Sequence, residues 1–306
     1  MDLSLIHPEL RAAYRLVPNI PFHSKAFVTT VNSLFKLWRK RRSLGGVSIQ
    51  DHPCGKSFVR VYTPPESSGA GMIWIHGGGL ITGCPALYDD LCARYARDLN
   101  LVVASVSYRL ATRHPYPAAI DDCFNAWQWL QQNAAHLGVD AERIVISGRS
   151  AGGGLAASLV QRVVDAGGIQ PAGQALFCPM LDDRTAAREE LDYVNHKMWS
   201  NCSNRAGWAA YLEQAPGLDE TPRYAVPARR DNLAGLPPSW IGVGDIDLFY
   251  EEDKRYAERL TECGVDCEFH VAPMAPHAFE LLVAKASITQ QLFQSNYRFL
   301  RSTLGL

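Results

Sequence analysis

Ile144-Val145-Ile146-Ser147-Gly148-Arg149-Ser150-Ala151-Gly152-Gly153-Gly154 reads as a short β-branched strand that runs straight into a Gly-x-Ser-x-Gly turn, Gly148 to Gly152. A helical apolar pattern comes next, through Leu155, Ala156, Ala157, Leu159, Val160, Val163 and Val164. Strand, tight turn and helix in that order form the context of a nucleophile elbow. The turn is too tight for large neighbours, so glycine stands two residues before and two after Ser150. The hydroxyl then projects above the sheet, at the positive end of the following helix. A plain strand-to-helix turn with an incidental serine has the same composition, so the reading depends on partners elsewhere in the chain.

Those partners are present. Met72-Ile73-Trp74-Ile75 reads as a buried strand leading into His76-Gly77-Gly78-Gly79. Three glycines after a strand let backbone N–H groups turn toward one point, as the oxyanion of acyl transfer requires. Phosphate binding is the rival use of such a loop. It is disfavoured by the absence of Gly-Lys-Ser/Thr and of Gly-x-Gly-x-x-Gly opening a helix. An acid and then a histidine should come after the serine. Asp245 and Asp247 both lie just past the strand Ser239–Gly244, and either could reach. His277 lies in a loop past the strand Cys267–Ala272, whereas His270 lies within that strand and cannot easily swing to a serine.

Outward from these motifs, strands near Met72–Ile75, Leu101–Ser107, Arg143–Ser147, Ala175–Cys178, Ser239–Val243 and Cys267–Ala272 alternate with helical patterns. The helices fall near Tyr88–Leu99, Ala118–His136, Ala151–Ala166, Glu251–Cys263 and Ile288–Leu304. The alternation predicts an α/β fold with a mostly parallel central sheet and helices on both faces. Val47–Gln50 and Ser57–Tyr62 read as an antiparallel hairpin at its edge. Two stretches break the alternation. Residues 1–45 read as helical, with Phe27, Val31, Leu34 and Trp38 at helical spacing. Residues 183–227 carry Tyr193, Met198, Trp199, Trp208 and Tyr211 with little strand character. The core then divides into residues 46–182 and 228–306.

Composition narrows the function. The chain has 306 residues, 47% of them hydrophobic, enough for one large α/β domain with a lid. A net charge of −1 and a sequence pI near 6.7 give no basis for binding nucleic acid. The densest basic run, with Lys36, Arg39, Lys40, Arg41 and Arg42, reads as a solvated helix end. No segment approaches the ~18 apolar residues of a membrane span, and the first residues lack the charged start and apolar stretch of a secretory signal. The eight cysteines are scattered without zinc or Cys-x-x-Cys spacing, which fits a reducing cytoplasm and a chemistry needing neither metal nor organic cofactor.

Taken together, His76–Gly79, Ser107-Tyr108-Arg109-Leu110-Ala111 with His114-Pro115-Tyr116-Pro117-Ala118-Ala119, Gly148–Gly153, Asp247-Leu248-Phe249 and His277-Ala278-Phe279 resemble the bacterial hormone-sensitive-lipase-like esterases. These are family IV carboxylesterases of the α/β-hydrolase superfamily. The resemblance covers roughly Val59 to the C-terminus. It implies an α/β-hydrolase fold whose two irregular stretches pack together as a helical cap. It implies that Ser150 is the nucleophile, His277 the general base and Asp247 the acid. Gly77 and Gly78 would supply oxyanion N–H groups by resemblance, and Ala151 by elbow geometry. Leu80, Met198, Trp199, Trp208 and Tyr211 would line the substrate site. The implied activity is hydrolysis of small, short-chain acyl esters through an acyl-enzyme, with a homodimer as the common assembly of such proteins. Amides, lactones and sugar acetates share the chemistry, and some relatives on this fold are ligand receptors without catalysis. Three departures from the family pattern stand out: Arg149 where Asp is common, Leu80 where an aromatic is common, and Ala278 where Gly is common. Arg149 is expected to pair with a carboxylate and to leave the chemistry untouched.

Overall fold

Gly71–Ile75, Ile144–Arg149, Gly173–Phe177 and Ser239–Gly244 are buried at every position. Strands covered by helices on both faces must be apolar in this way. The computed structural model describes residues 2–18, 20–35, 37 and 43–306. Among them the strands are β1 (Ser43–Leu44), β2 (Val47–Cys54), β3 (Ser57–Thr63), β4 (Gly71–Ile75), β5 (Val102–Ser107), β6 (Ile144–Arg149), β7 (Gly173–Phe177), β8 (Ser239–Gly244) and β9 (Cys267–Ala272). They form one sheet in the order β1-β2-β3-β5-β4-β6-β7-β8-β9. β1, β2 and β3 are joined antiparallel, β3 runs antiparallel to β5, and every pairing from β5 to β9 is parallel. The sequence expectation of a mostly parallel sheet with an antiparallel edge holds.

The helices are α1 (Arg11–Leu16), α2 (Lys25–Phe35), α3 (Asp89–Leu99), α4 (Ala118–Asn133), α5 (Ala151–Ala166), α6 (Asp183–Ala187), α7 (Asn201–Leu212), α8 (Tyr250–Glu262), α9 (Phe279–Leu282) and α10 (Ser287–Leu304). Side chains alternate across each strand, and two apolar layers result. Ile73, Ile75, Ile144 and Ile146 face the layer that holds Ile120, Leu130, Leu155 and Leu159 of α4 and α5. Met72, Trp74 and Val145 face the layer that holds Tyr95 of α3 and Leu292 and Leu300 of α10. No helix among the described residues is long and apolar enough to cross a membrane.

The irregular stretches differ in detail from their reading in the sequence. Residues 183–227 hold α6 and α7 between irregular turns and contain no strand, in keeping with the little strand character expected. The stretch 1–45 is not wholly helical, because Ser43 and Leu44 already pair with β2. On α2 the buried residue is Val28, while Leu34 is 58% exposed. The helix therefore rests on a neighbouring row, one residue round from the row expected. Trp38 and the basic residues Lys36 and Arg39 to Arg42 lie outside the described residues. The two stretches touch where Phe22 meets Trp199, at 5.4 Å between ring centroids, and where Lys197 Nζ donates to the carbonyl of Val17. The first turns go elsewhere: the N–H of His7 donates to Met274 O, and the carboxylate of Glu9 accepts from Ser287.

α5 passes so close to the chain after β7 that a Cβ on Gly154 would lie 2.0 Å from the carbonyl oxygen of Met180. Helix propensity alone would make Gly154→Ala stabilising by ~1 kcal/mol. The backbone overlap reverses the sign, and the variant is expected to lose ~1–3 kcal/mol, read as a lower urea midpoint. An unchanged or raised midpoint would contradict this close approach.

Candidate active site

The elbow is built by exclusion of side chains. β6 ends at Arg149, and Ser150 takes φ 54° and ψ −124° before α5 starts at Ala151. That conformation is costly for any residue with a Cβ, by ~1–3 kcal/mol. It is held by Ser150 N–H donating to Phe177 O at 2.8 Å, and by Ser150 O accepting from the N–H groups of Met180 and Gly154. A Cβ on Gly148 would lie 2.2 Å from Gly152 O, and one on Gly152 would lie 2.2 Å from Ile75 O. Neither position admits any other residue without moving backbone.

His277 reaches the serine. Its Nε2 is 3.0 Å from Ser150 Oγ, and its Nδ1 is 2.8 Å from Asp247 Oδ2. The carboxylate accepts at Nδ1, so Nδ1 carries the proton and Nε2 is the acceptor for the serine hydroxyl. Asp247 is itself fixed, since its Oδ1 accepts from the N–H of Phe249, whose ring stands edge-on to the imidazole at 5.3 Å. Tyr14 of α1 donates its hydroxyl to the carbonyl of His277 at 2.7 Å; burial keeps this phenol protonated far above the ordinary tyrosine range. The three side chains are nearly closed to solvent, with Ser150 4% and His277 5% exposed. Asp245 takes no part in this chain: its N–H donates to Ala272 O, and its Oδ1 has no partner among the described residues. His270 stays in β9, where burial lowers its pKa.

The N–H groups of the glycine loop differ in their partners. Gly77 N–H donates to the hydroxyl of Tyr88 at 3.3 Å. The N–H groups of Gly78, Gly79 and Ala151 have no hydrogen-bond partner among the described residues. Gly79 belongs to the same motif, but motif position alone does not say which N–H is already engaged. Gly78 and Gly79 have φ of 128° and 59°, and a Cβ on Gly79 would lie 1.9 Å from Cη2 of Trp199. Trp199 therefore lies directly against this loop. Leu80 is buried within the loop at φ 67°, and its carbonyl accepts from Ala111 N–H. Met198, at φ 70°, is partly buried beside Trp199. Trp208 and Tyr211 are buried in the core layer, and Tyr211 meets Tyr116 edge-on at 5.6 Å. Tyr193 is 90% exposed and covers nothing.

Further groups near the triad carry no motif signal. Arg149 is buried and pairs with Glu280 at 2.5 Å, which meets the expectation of a carboxylate partner. Cys178, Asp247 and His277 place ligand-type atoms within 4.8 Å of one another. Both imidazole nitrogens there already bond Ser150 and Asp247, and burial pushes the Cys178 thiol well up. His196 lies near enough for the charges of Asp247 and His277 to act on it, and burial is the main cause of its lowered pKa.

The sequence profile of a family described as alpha/beta hydrolase fold matches residues 72–281. Esterase LipI of Mycobacterium tuberculosis is 34% identical over 236 residues, which span 75% of this chain and 72% of that protein. Carboxylesterase NlhH of the same organism is 35% identical over 248 residues, spanning 78% of this chain and 75% of the relative. Among solved structures, a bacterial heroin esterase superposes with a TM-score of 0.91 at 32% identity, covering 99% of each chain.

His76, at the head of the glycine loop, gives a pH test of the fold around the site. Its ring stacks on Tyr108 at 4.2 Å, and its Nδ1–H donates to Gly77 O. Burial pulls its pKa from 6.5 to about 4, against the weaker opposing effect of that hydrogen bond. The unfolded chain therefore takes up this proton first as pH falls. The stability at stake is fully present above the unfolded value and is lost between about pH 6.5 and 4. The loss amounts to about 3 kcal/mol. The stability difference between wild type and His76→Asn, from urea unfolding, should shrink over that window. A difference independent of pH would show that His76 titrates normally.

Proposed function

This chain belongs to the hormone-sensitive-lipase-like branch of the α/β-hydrolase family and is a carboxylic ester hydrolase, and from that premise we propose that Ser150, His277 and Asp247 carry the reaction through an acyl-enzyme. The observation that supports this most is the buried chain from Ser150 Oγ through His277 to Asp247, at 3.0 and 2.8 Å. Ser150 Oγ attacks the ester carbonyl carbon while His277 Nε2 takes its proton. Asp247 stabilises the imidazolium and keeps its tautomer. The tetrahedral oxyanion accepts from the N–H groups of Gly78, Gly79 and Ala151, with Gly79 in place of Gly77. The intermediate collapses, His277 protonates the departing alkoxide, and water hydrolyses the acyl-serine with the same base. These donors are fixed before substrate arrives, so little reorganisation is needed as charge develops.

Of the expected cap stretches 1–45 and 183–227, we read residues 20–35 and 183–227 as lying over this centre. The Phe22–Trp199 contact and the packing of Trp199 on Gly79 support that reading. Phe22 also lines a groove of about 730 Å³ with Val28, Ile81, Ala111, Ala206 and Ala210. Aromatic cover this close to the oxyanion donors limits the depth available to an acyl chain. Each methylene that fits gains ~0.8 kcal/mol, and one too many costs ~1–3 kcal/mol. Activity on p-nitrophenyl esters should therefore peak at about two to six acyl carbons. A peak at decanoate or beyond, or activation at an oil–water interface, would refute the limit on depth.

Variants separate the roles. Ser150→Ala is expected to remove turnover with the fold intact, a loss approaching ~10⁶ in kcat. His277→Ala should match it, and His270→Ala should behave as wild type. Asp247→Asn should cost ~10⁴ in kcat, and Asp245→Asn far less. Equal losses for the two aspartates would undo the assignment of the acid. A p-nitrophenyl acetate rate at the Ser150→Ala level in the wild type would favour a ligand receptor on the same fold. Faster cleavage of an anilide or lactone than of any simple ester would move the substrate class within the same chemistry.

A further inference from the structure

Arg149 stands immediately before the nucleophile, at the end of β6, with its side chain withdrawn from solvent. Its three guanidinium nitrogens are directed inward. Nε donates to Glu280 Oε1 at 2.5 Å, Nη1 donates to Tyr88 Oη at 3.4 Å, and Nη2 has no partner among the described residues. The two partners belong to different parts of the site. Glu280 sits in α9, three residues beyond His277, and so moves with the histidine loop. Tyr88 Oη also accepts the N–H of Gly77, at the root of the oxyanion loop. One side chain therefore touches the support of every working part: the elbow it belongs to, the loop of the base and the loop of the oxyanion donors.

We propose that Arg149 is a positioning residue that holds the nucleophile elbow, the histidine loop and the oxyanion loop in one register. The inference rests on the triad reading, and it replaces the expectation that Arg149 leaves the chemistry untouched. Three physical points support it. A guanidinium is a planar fork that fixes direction as well as distance, which a lysine ammonium does not. A buried ion pair is weak support for stability, because desolvation offsets its attraction, so stability is a poor account of this one. The histidine loop also needs external restraint: Ala278 is held at φ 69°, a region that residues with a Cβ populate sparsely. Tyr14 grips that loop at the carbonyl of His277, and Arg149 grips it three residues later through Glu280.

The test measures kcat and KM on p-nitrophenyl butyrate, together with urea midpoints, for wild type, R149M, R149K, E280Q, R149M/E280L and S150A. A displacement of about 1 Å in a catalytic constellation costs ~10² in rate. R149M is expected to lose about that factor in kcat with KM nearly unchanged. R149K, which keeps the charge but not the fork, should remain low. The double variant removes both charges and should regain the urea midpoint while kcat stays low. Recovery of kcat to within about threefold of wild type in R149M/E280L would overturn the proposal and leave the pair a matter of stability. Where R149M fails to fold, the double variant and the isosteric E280Q carry the same comparison, and full kcat in both would overturn it equally. Activity retained by S150A would instead overturn the triad reading, so the two failures are distinguishable.

Discussion

The site depends on how closely β6 and the start of α5 approach the end of β4. At Gly152 the backbone passes so near the carbonyls of Ile75 and His76 that a Cβ would sit 2.2 and 2.4 Å from them. That approach brings the glycine loop beside Ser150, since β4 and β6 are neighbours in register from Gly71↔Ile144 to Ile75↔Gly148. A parallel pairing ends both strands at the same level, and the segments leaving the two strands must share one small volume. Ser150 and the glycine loop are adjacent because two strands are paired, before any side chain is considered. The strained φ and ψ of Ser150 are sustained by the same contacts.

His277 arrives from farther away, and its placement depends on side chains. β8 and β9 deliver the loops of Asp247 and His277, but a loop without helix or strand has low local stability. Four contacts fix it: Asp247 at Nδ1, Ser150 at Nε2, the edge of Phe249 on the ring and Tyr14 on the main chain. This arrangement is almost wholly withdrawn from water. There a charge-assisted hydrogen bond is stronger than on the surface and an unmade one is more costly.

Periodicity and steric necessity decide how much of this fold is legible in the sequence. The buried strands read well because a strand covered on both faces must be apolar throughout, and the elbow reads well because close backbone approach admits glycine alone. The strand of His270 and the loop of His277 separate on the same grounds. Other features hinge on directions that composition does not encode. Gly77 and Gly79 are identical letters, yet the hydroxyl of Tyr88 engages the N–H of the first alone. On α2 the buried face falls at Val28 because a helix can rotate by one residue with little change in its apolar pattern. Arg149 signals a carboxylate partner but cannot name Glu280, 131 residues away. Tyr14 offers no signal at all, since nothing local marks a tyrosine whose partner is a main-chain carbonyl 263 positions later.

The hydroxyl of Tyr14 carries a consequence for the extent of the working unit. The family profile begins at residue 72 and ends at residue 281, yet the loop of the base is anchored by a residue far upstream of that span. The profile marks the span shared with the family, and this contact ties that span to chain outside it. A fragment trimmed to the conserved span would keep serine, acid and histidine and lose the hold on the histidine's own backbone. Shortening the chain past Tyr14 thus removes a buried anchor of the His277 loop. The front of this chain is part of the structure that holds the backbone of His277.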